Sequence, residues 1–280
     1  MSRYVLTLSC QDRPGIVHAV TGALLSVSGN ITESAQFNDA ETGLFVLRTA
    51  FDAETEDVDS VRGALGAQEP LVGADVEVRL ESDLCRVLVL VSKFDHCLVD
   101  LLYRWNAGDL PIEIVGVVSN HDDCRPIAER YGLAYHHAPV TAETKQAAEA
   151  ELLRLVADTG ADLLVLARYM QVLSDETCRA LRGRAINIHH SFLPGFKGAR
   201  PYHQAHARGV KLIGATAHYV TADLDEGPII EQDVVRVGHV ETAERLAAVG
   251  RDVERRVLSE AVRVHAERRV FLSGSRTVVF

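Results

Sequence analysis

The sequence predicts two α/β domains of different kinds: a ferredoxin-like βαββαβ domain over residues 1–83, then a doubly wound, mostly parallel Rossmann-like domain over residues 84–280. Three observations predict this. The chain's 280 residues suffice for one small domain and one larger one. Its first part orders strand and helix patterns as βαββαβ. From Arg86 onward the strand-like runs lose polar alternation, as parallel strands covered on both faces do.

Taken in order, Tyr4 to Ser9 reads as a strand, and Asp12-Arg-Pro-Gly15 as a turn opening a helix with Ile16, Val20, Leu24 and Val27 at helical spacing. Gly29 ends that helix. Ile31 to Phe37 and Leu44 to Phe51 flank a polar segment as a hairpin, a charged helix is expected from Glu56 to Ala67, and Asp75 to Leu80 returns as a strand. Glu81-Ser-Asp83 reads as a linker. In the second domain Arg86 to Val91, Glu113 to Val118, Leu163 to Leu166 and Ala185 to Ile188 read as buried strands. Helices are expected near Cys97 to Ala107, Cys124 to Tyr131 and Thr141 to Thr159. Lys211 to Val220 and Pro228 to Val235 add strands, and a long helix from Thr242 to Glu267 carries Leu246, Val249, Val253, Val257 and Ala261 on one stripe. Ser273-Gly-Ser275 predicts a short terminal hairpin.

Charge is unevenly spread. Residues 1–83 hold 5 Lys/Arg against 14 Asp/Glu, a net −9, which leaves −1 for the rest. Such a surface disfavours nucleic acid, whose phosphates need basic partners. Cys10, Cys85, Cys97, Cys124 and Cys178 lack CxxC spacing and read as reduced thiols of a cytoplasmic protein. No apolar run reaches the roughly 18 residues of a membrane span. Arg3 followed at once by strand-like sequence predicts no signal peptide.

The chemistry concentrates at Ala185-Ile-Asn-Ile-His-His-Ser-Phe-Leu-Pro194 and Thr221-Ala-Asp-Leu-Asp-Glu-Gly-Pro228. Alternation puts Asn187 and His189 on one face at a strand's carboxyl end, where open α/β sheets hold ligands. Asn187 donates through its amide, His189 donates when protonated, and Asp225 accepts or orients a proton. The trio suits a carbonyl attacked by a weak nucleophile. Read singly, each has a plainer role: a strand-end histidine satisfied within the core, an asparagine that caps a turn. It is their combination beside an irregular Gly/Pro loop that points to chemistry.

Asn187-Ile-His189, Ser191-Phe-Leu-Pro194, Gly198-Ala-Arg-Pro-Tyr-His203, Gly214-Ala-Thr216, His218 and Leu224-Asp-Glu-Gly-Pro228 resemble the signature of folate-dependent formyltransferases, in their formyltetrahydrofolate deformylase branch. The N-terminal segment resembles the ACT domain of that branch. The resemblance implies hydrolysis of 10-formyltetrahydrofolate to formate and tetrahydrofolate, supplying purine synthesis and balancing one-carbon folate pools, with folate as substrate and no tightly bound cofactor. It implies catalysis by Asn187, His189 and Asp225, and a pterin pocket from Arg168, Tyr169, Met170, Gln171, Val172 and Leu173 with Thr221, Ala222, Asp223, Leu224 and Glu226. Packing alone is the plainer role for Tyr169, Met170, Val172 and Leu173. Glycine and methionine are the implied effectors of the ACT domain, near Asp12, Arg13, Gly15, Asn30 and Ile31, where tight turns and dimerisation are the alternative.

Losing one oxyanion donor would cost ~3 kcal/mol of transition-state stabilisation. Like charge on Glu226 is expected to raise the Asp225 pKa. A phosphorylated amine acceptor would need a Gly-rich first βα turn, but Val91-Ser-Lys-Phe-Asp-His-Cys97 has no glycine, which favours water. The alternatives are formyl transfer to a small amine, a folate-binding sensor without turnover, and zinc hydrolysis through His189, His190, His203, His206, His218 and Asp225. No HExxH or Cys pair supports the metal. Edge strands and the exposed sheet of the small domain predict a homo-oligomer.

Overall fold

The computed structural model describes residues 1–54, 57–195 and 201–280, apart from the side chain of Pro201. Contacts divide the chain into two compact units: Met1–Leu84 with Glu267–Phe280, and Cys85–Ala266.

The first unit runs β1 (Ser2–Gln11), α1 (Ile16–Ser26), β2 (Asn30–Asp39), β3 (Leu44–Ala53), α2 (Val58–Gly66), a short 3-10 turn at Glu69–Leu71, and β4 (Asp75–Leu80). Its antiparallel sheet has the order β2-β3-β1-β4. Alternation on β1 sends Tyr4, Leu6 and Leu8 into a core with Val20 and Leu24 of α1 and Leu65 of α2. Tyr4 stacks on its register partner Phe51 at 5.2 Å. Glu56, the expected start of the charged helix, lies outside the described residues; α2 begins after Asp57, whose carboxylate accepts from Asp59 N at 3.0 Å.

The second unit runs β5 (Cys85–Val91), α3 (His96–Asn106), β6 (Ile112–Ser119), α4 (Arg125–Arg130), β7 (Tyr135–His137), α5 (Lys145–Thr159), β8 (Leu163–Leu166), α6 (Asp175–Ala180), β9 (Ala185–His189), α7 (Pro201–Arg208), β10 (Leu212–Tyr219), β11 (Ile229–Arg236) and α8 (Ala243–Ala266). Sheet order is β11-β10-β9-β8-β5-β6-β7, parallel from β7 to β9, with β10 and β11 antiparallel. Val87 to Val91 are all essentially inaccessible, so both faces of β5 are covered, as the unbroken apolar run requires. Strand order reverses between β5 and β8, which opens a crevice at their carboxyl ends. The sequence pattern misses β7, α6 and α7, because elements this short complete too few periods to be read.

After α8 the chain forms a hairpin, β12 (Val270–Ser273) with β13 (Arg276–Val279). Sequence analysis placed residues 267–280 with the second domain, whereas they pack in the first unit. The reason is polar satisfaction. Buried Arg48 donates to Glu267 O at 3.0 Å, and buried Asp39 accepts from Ser273 Oγ at 2.9 Å and Arg276 Nη2 at 3.1 Å.

Candidate active site

The carboxyl ends of β5, β8 and β9 open on a cavity of about 520 Å³, within the range of small-molecule sites. Alternation on β9 aims Asn187 and His189 into it. The antiparallel register sets His218 of β10 opposite Asn187, and Thr216 opposite His189. Thr216 Oγ1 donates to Ser191 O and accepts from Leu193 N, both at 3.0 Å, which ties down the loop after His189. Asp225 arrives on the loop between β10 and β11. That loop packs tightly: a Cβ on Gly227 would lie 1.7 Å from Tyr219 O, so only glycine fits.

Asp225 Oδ1 lies 3.1 Å from His189 Nδ1 and 3.8 Å from His218 Nε2. A carboxylate can only accept, so His189 Nδ1–H donates to it. His189 is buried, and its Nε2 has no hydrogen-bond partner among the described residues. His218 Nδ1–H donates to Tyr219 O at 2.9 Å, and its other ring nitrogen, Nε2, accepts from Asn187 Nδ2 at 3.2 Å. His218 thus fixes the rotation of the Asn187 amide.

The hydrogen bond from His189 leads in holding the Asp225 carboxyl well below the usual carboxylate range despite its partial burial. This corrects the expected rise from Glu226. Both Asp225 and Arg168 adopt left-handed backbone, at φ 58° and 66°. Non-glycine residues do so at a cost of about 1–3 kcal/mol each, and such strain clusters at functional sites.

A second network lines the same cavity. Glu254 of α8, 1 % exposed, accepts from Tyr202 OH at 2.5 Å on Oε1 and pairs with His96 Nε2 at 2.8 Å on Oε2. Arg168 Nε stands 3.5 Å from Glu254 Oε2. Burial pushes the Glu254 carboxyl up, but His96, Arg168 and Tyr202 together outweigh it and its pKa falls below the ordinary value. His190, whose ring centroid is 5.1 Å from that of His189, has its pKa lowered to about 3, chiefly by burial and then by Arg168, so it is neutral. His96, Cys97 and Glu254 offer the one metal-ligand grouping among the described residues, rather than the histidines of the zinc alternative. It suits a metal poorly: both Glu254 oxygens are engaged, and burial keeps the Cys97 thiol protonated.

Arg168, Tyr169, Met170, Gln171, Val172 and Leu173 all line the cavity, as do Thr221, Ala222, Leu224 and Asp225. Asp223 and Glu226 are not in the lining; Glu226 N donates to Asp223 O at 3.3 Å in the turn. The Gly198-to-Arg200 part of the quoted motif lies outside the described residues. In the first unit Arg13 donates to Pro70 O at 2.8 Å and Val72 O at 2.6 Å, Asp12 accepts from Asn38 at 2.5 Å, Gly15 caps α1 at φ 95°, and Asn30 and Ile31 begin β2. Sequence reasoning missed the network of His96, Tyr202 and Glu254, and the role of His218. For Glu254 the available signal was a carboxylate within the apolar stripe of α8.

A model of the formyl transferase family matches residues 85–262. A formyltetrahydrofolate deformylase of Corynebacterium sp. (strain P-1) is 53 % identical over 279 residues, covering 99 % of this chain and 98 % of that protein. The crystal structure of a formyltetrahydrofolate deformylase from Burkholderia mallei ATCC 23344 superposes with a TM-score of 0.96 at 52 % identity over all of both chains. A glycinamide ribonucleotide transformylase from Symbiobacterium toebii covers 70 % of this chain and 94 % of its own, with a TM-score of 0.66 at 33 % identity.

Proposed function

The chain belongs to the formyl transferase family, among its formyltetrahydrofolate deformylases, and on that premise we propose that Asn187, His189 and Asp225 carry out the reaction. The protein hydrolyses 10-formyltetrahydrofolate to formate and tetrahydrofolate. The observation that supports the assignment is the linked geometry of His189 Nδ1 on Asp225 and Asn187 on His218, at the mouth of strands lining one cavity.

The formyl carbonyl is amide-like, so attack by water builds an oxyanion and the folate nitrogen must leave protonated. Asn187 Nδ2–H and protonated His189 Nε2–H are the donors for that oxyanion. Asp225, ionised, orients the water and stabilises the imidazolium of His189 through Nδ1. Because its carboxyl is held so acidic, Asp225 keeps the water's proton only in passing. The proton ends on the folate nitrogen as the carbon–nitrogen bond breaks. Residues 168–173, with Thr221, Ala222 and Leu224, hold the pterin, largely through backbone groups.

Formate release from 10-formyltetrahydrofolate without any amine, compared between wild type and Asp225→Asn, tests this. Release by wild type that collapses in the variant is expected. A variant as fast as wild type removes Asp225 from the chemistry.

The N-terminal unit is the regulatory one in this reading, answering to an amino acid such as glycine or methionine around Asp12, Arg13, Gly15, Asn30 and Ile31. Because Arg13 is committed to Pro70 and Val72, its part there is to shape the turn. Strand β2, exposed along most of its length at the sheet edge, supports a homo-oligomer. The five cysteines are buried, in keeping with a reducing cytoplasm, and among the described residues no helix is long and apolar enough to cross a membrane.

A further inference from the structure

Arg168 is held at a cost that folate binding through backbone groups does not explain. Its φ of 66° would suit glycine without strain. Its side chain is nine-tenths buried, and Nε and Nη1 make no hydrogen bond among the described residues. Buried donors left so cost about 1–3 kcal/mol. A side chain kept under these conditions, in the wall of the cavity, must serve something inside it.

Its position says what. The guanidinium carbon sits over the Phe94 ring at 5.6 Å, and Nε faces Glu254. Phe94 belongs to the turn after β5, and Arg168 to the turn after β8, the two strands that flank the reversal of sheet order. Ser92 Oγ, which donates to Asn120 Oδ1 at 2.7 Å and accepts from Met170 N at 3.0 Å, laces those turns together. His96 and Tyr202 anchor Glu254 behind them. In a doubly wound sheet this first βα turn, at a helix N-terminus, is where a second and phosphorylated substrate would dock. Here an aromatic ring and a guanidinium bridge that entrance.

We infer that Arg168, braced by Phe94 and Glu254, is a specificity-determining residue that fills the acceptor side of the cavity, so that water and not an amine reaches the formyl carbon. The inference rests on the hydrolytic reading above. With water, the oxygen bonds to the formyl carbon, the carbon–nitrogen bond to folate breaks, the folate nitrogen gains a proton, and formate leaves with release of the other. With an amine, its nitrogen bonds to the same carbon and its proton goes to the folate nitrogen, which gives a formamide and no formate. The Nη1–H of Arg168 is a donor for the water or for the formate oxygen.

The test is the division of formyl groups between formate and N-formylglycinamide when glycinamide is supplied. Wild type is expected to give formate with only a trace of formamide. Arg168→Gly, which relieves the backbone strain, is expected to raise the formamide share by about tenfold or more, the scale on which one removed steric contact changes selection. Phe94→Ala, the loss of a half-exposed ring, should shift it the same way and less. Wild type that releases no formate without an amine sinks the hydrolytic reading itself. Wild type that releases formate, while both folded variants divide formyl as it does, overturns the role of Arg168 alone. If Arg168→Gly does not fold or turn over, an unchanged division in Phe94→Ala is sufficient to overturn it.

Discussion

Asp225 and His190 are displaced in the same direction by opposite causes, and each makes a prediction about acid. For Asp225 the hydrogen bond from His189 favours the charged form, so its contribution to stability is present above the ordinary aspartate pKa and is lost as pH falls through and below it. For His190 burial favours the neutral form. The unfolded histidine takes a proton near pH 6.5 while the folded one waits until about 3, so stability falls as pH drops through that window. Between pH 7 and pH 5 this one group should cost about 2 kcal/mol. Urea denaturation of His190→Asn at both pH values should show a shallower loss than wild type, and an equal slope would refute the assignment. Asn187→Ala should lower kcat by about a hundredfold or more with little change in KM, since the amide acts on charge that develops only in the transition state. That Asn187 and His189 share one face of β9 was legible in the sequence, because residue type and strand alternation suffice for that. The acidity of Asp225 was not, because it depends on His189 meeting a carboxylate that returns on the loop between β10 and β11.

Helix α8 carries apolar residues on one stripe, which its periodicity predicts, but also a buried carboxylate and a glycine, which it does not. Gly250 and Glu254 lie one turn apart. A Cβ on Gly250 would meet the Tyr202 ring and hydroxyl at 2.1 Å, so the glycine opens the path by which Tyr202 reaches Glu254. Gly250→Ala sets about 1 kcal/mol of improved helix propensity against about 1–3 kcal/mol of overpacking, plus the loss of the Tyr202 bond to a buried charge. Overpacking should win. Urea denaturation should give a lower midpoint for the variant with deformylase activity reduced, and a raised midpoint would mean that Tyr202 moves aside freely.

For the molecule as a whole, the unexpected feature is that residues 267–280 return to the first unit, where Ser273 and Arg276 satisfy Asp39 and Glu267 O satisfies Arg48. Removing residues 267–280 should therefore lower the thermal transition of the N-terminal unit by scanning calorimetry, with that transition now first; an unchanged trace would mean that the hairpin adds nothing to it. Composition and pattern by themselves determined the two folds, the long helix and which polar residues the chain brings to the carboxyl end of β9. Each follows from local periodicity or from the chemistry of a single side chain. Only the tertiary structure decided that Glu254 gathers His96, Tyr202 and Arg168, that His218 steers Asn187, and that the tail belongs with the first unit. These depend on which buried polar groups find one another across as many as 237 positions of sequence, as Arg276 finds Asp39. Burial makes such pairing obligatory, but no residue carries a local mark of its partner.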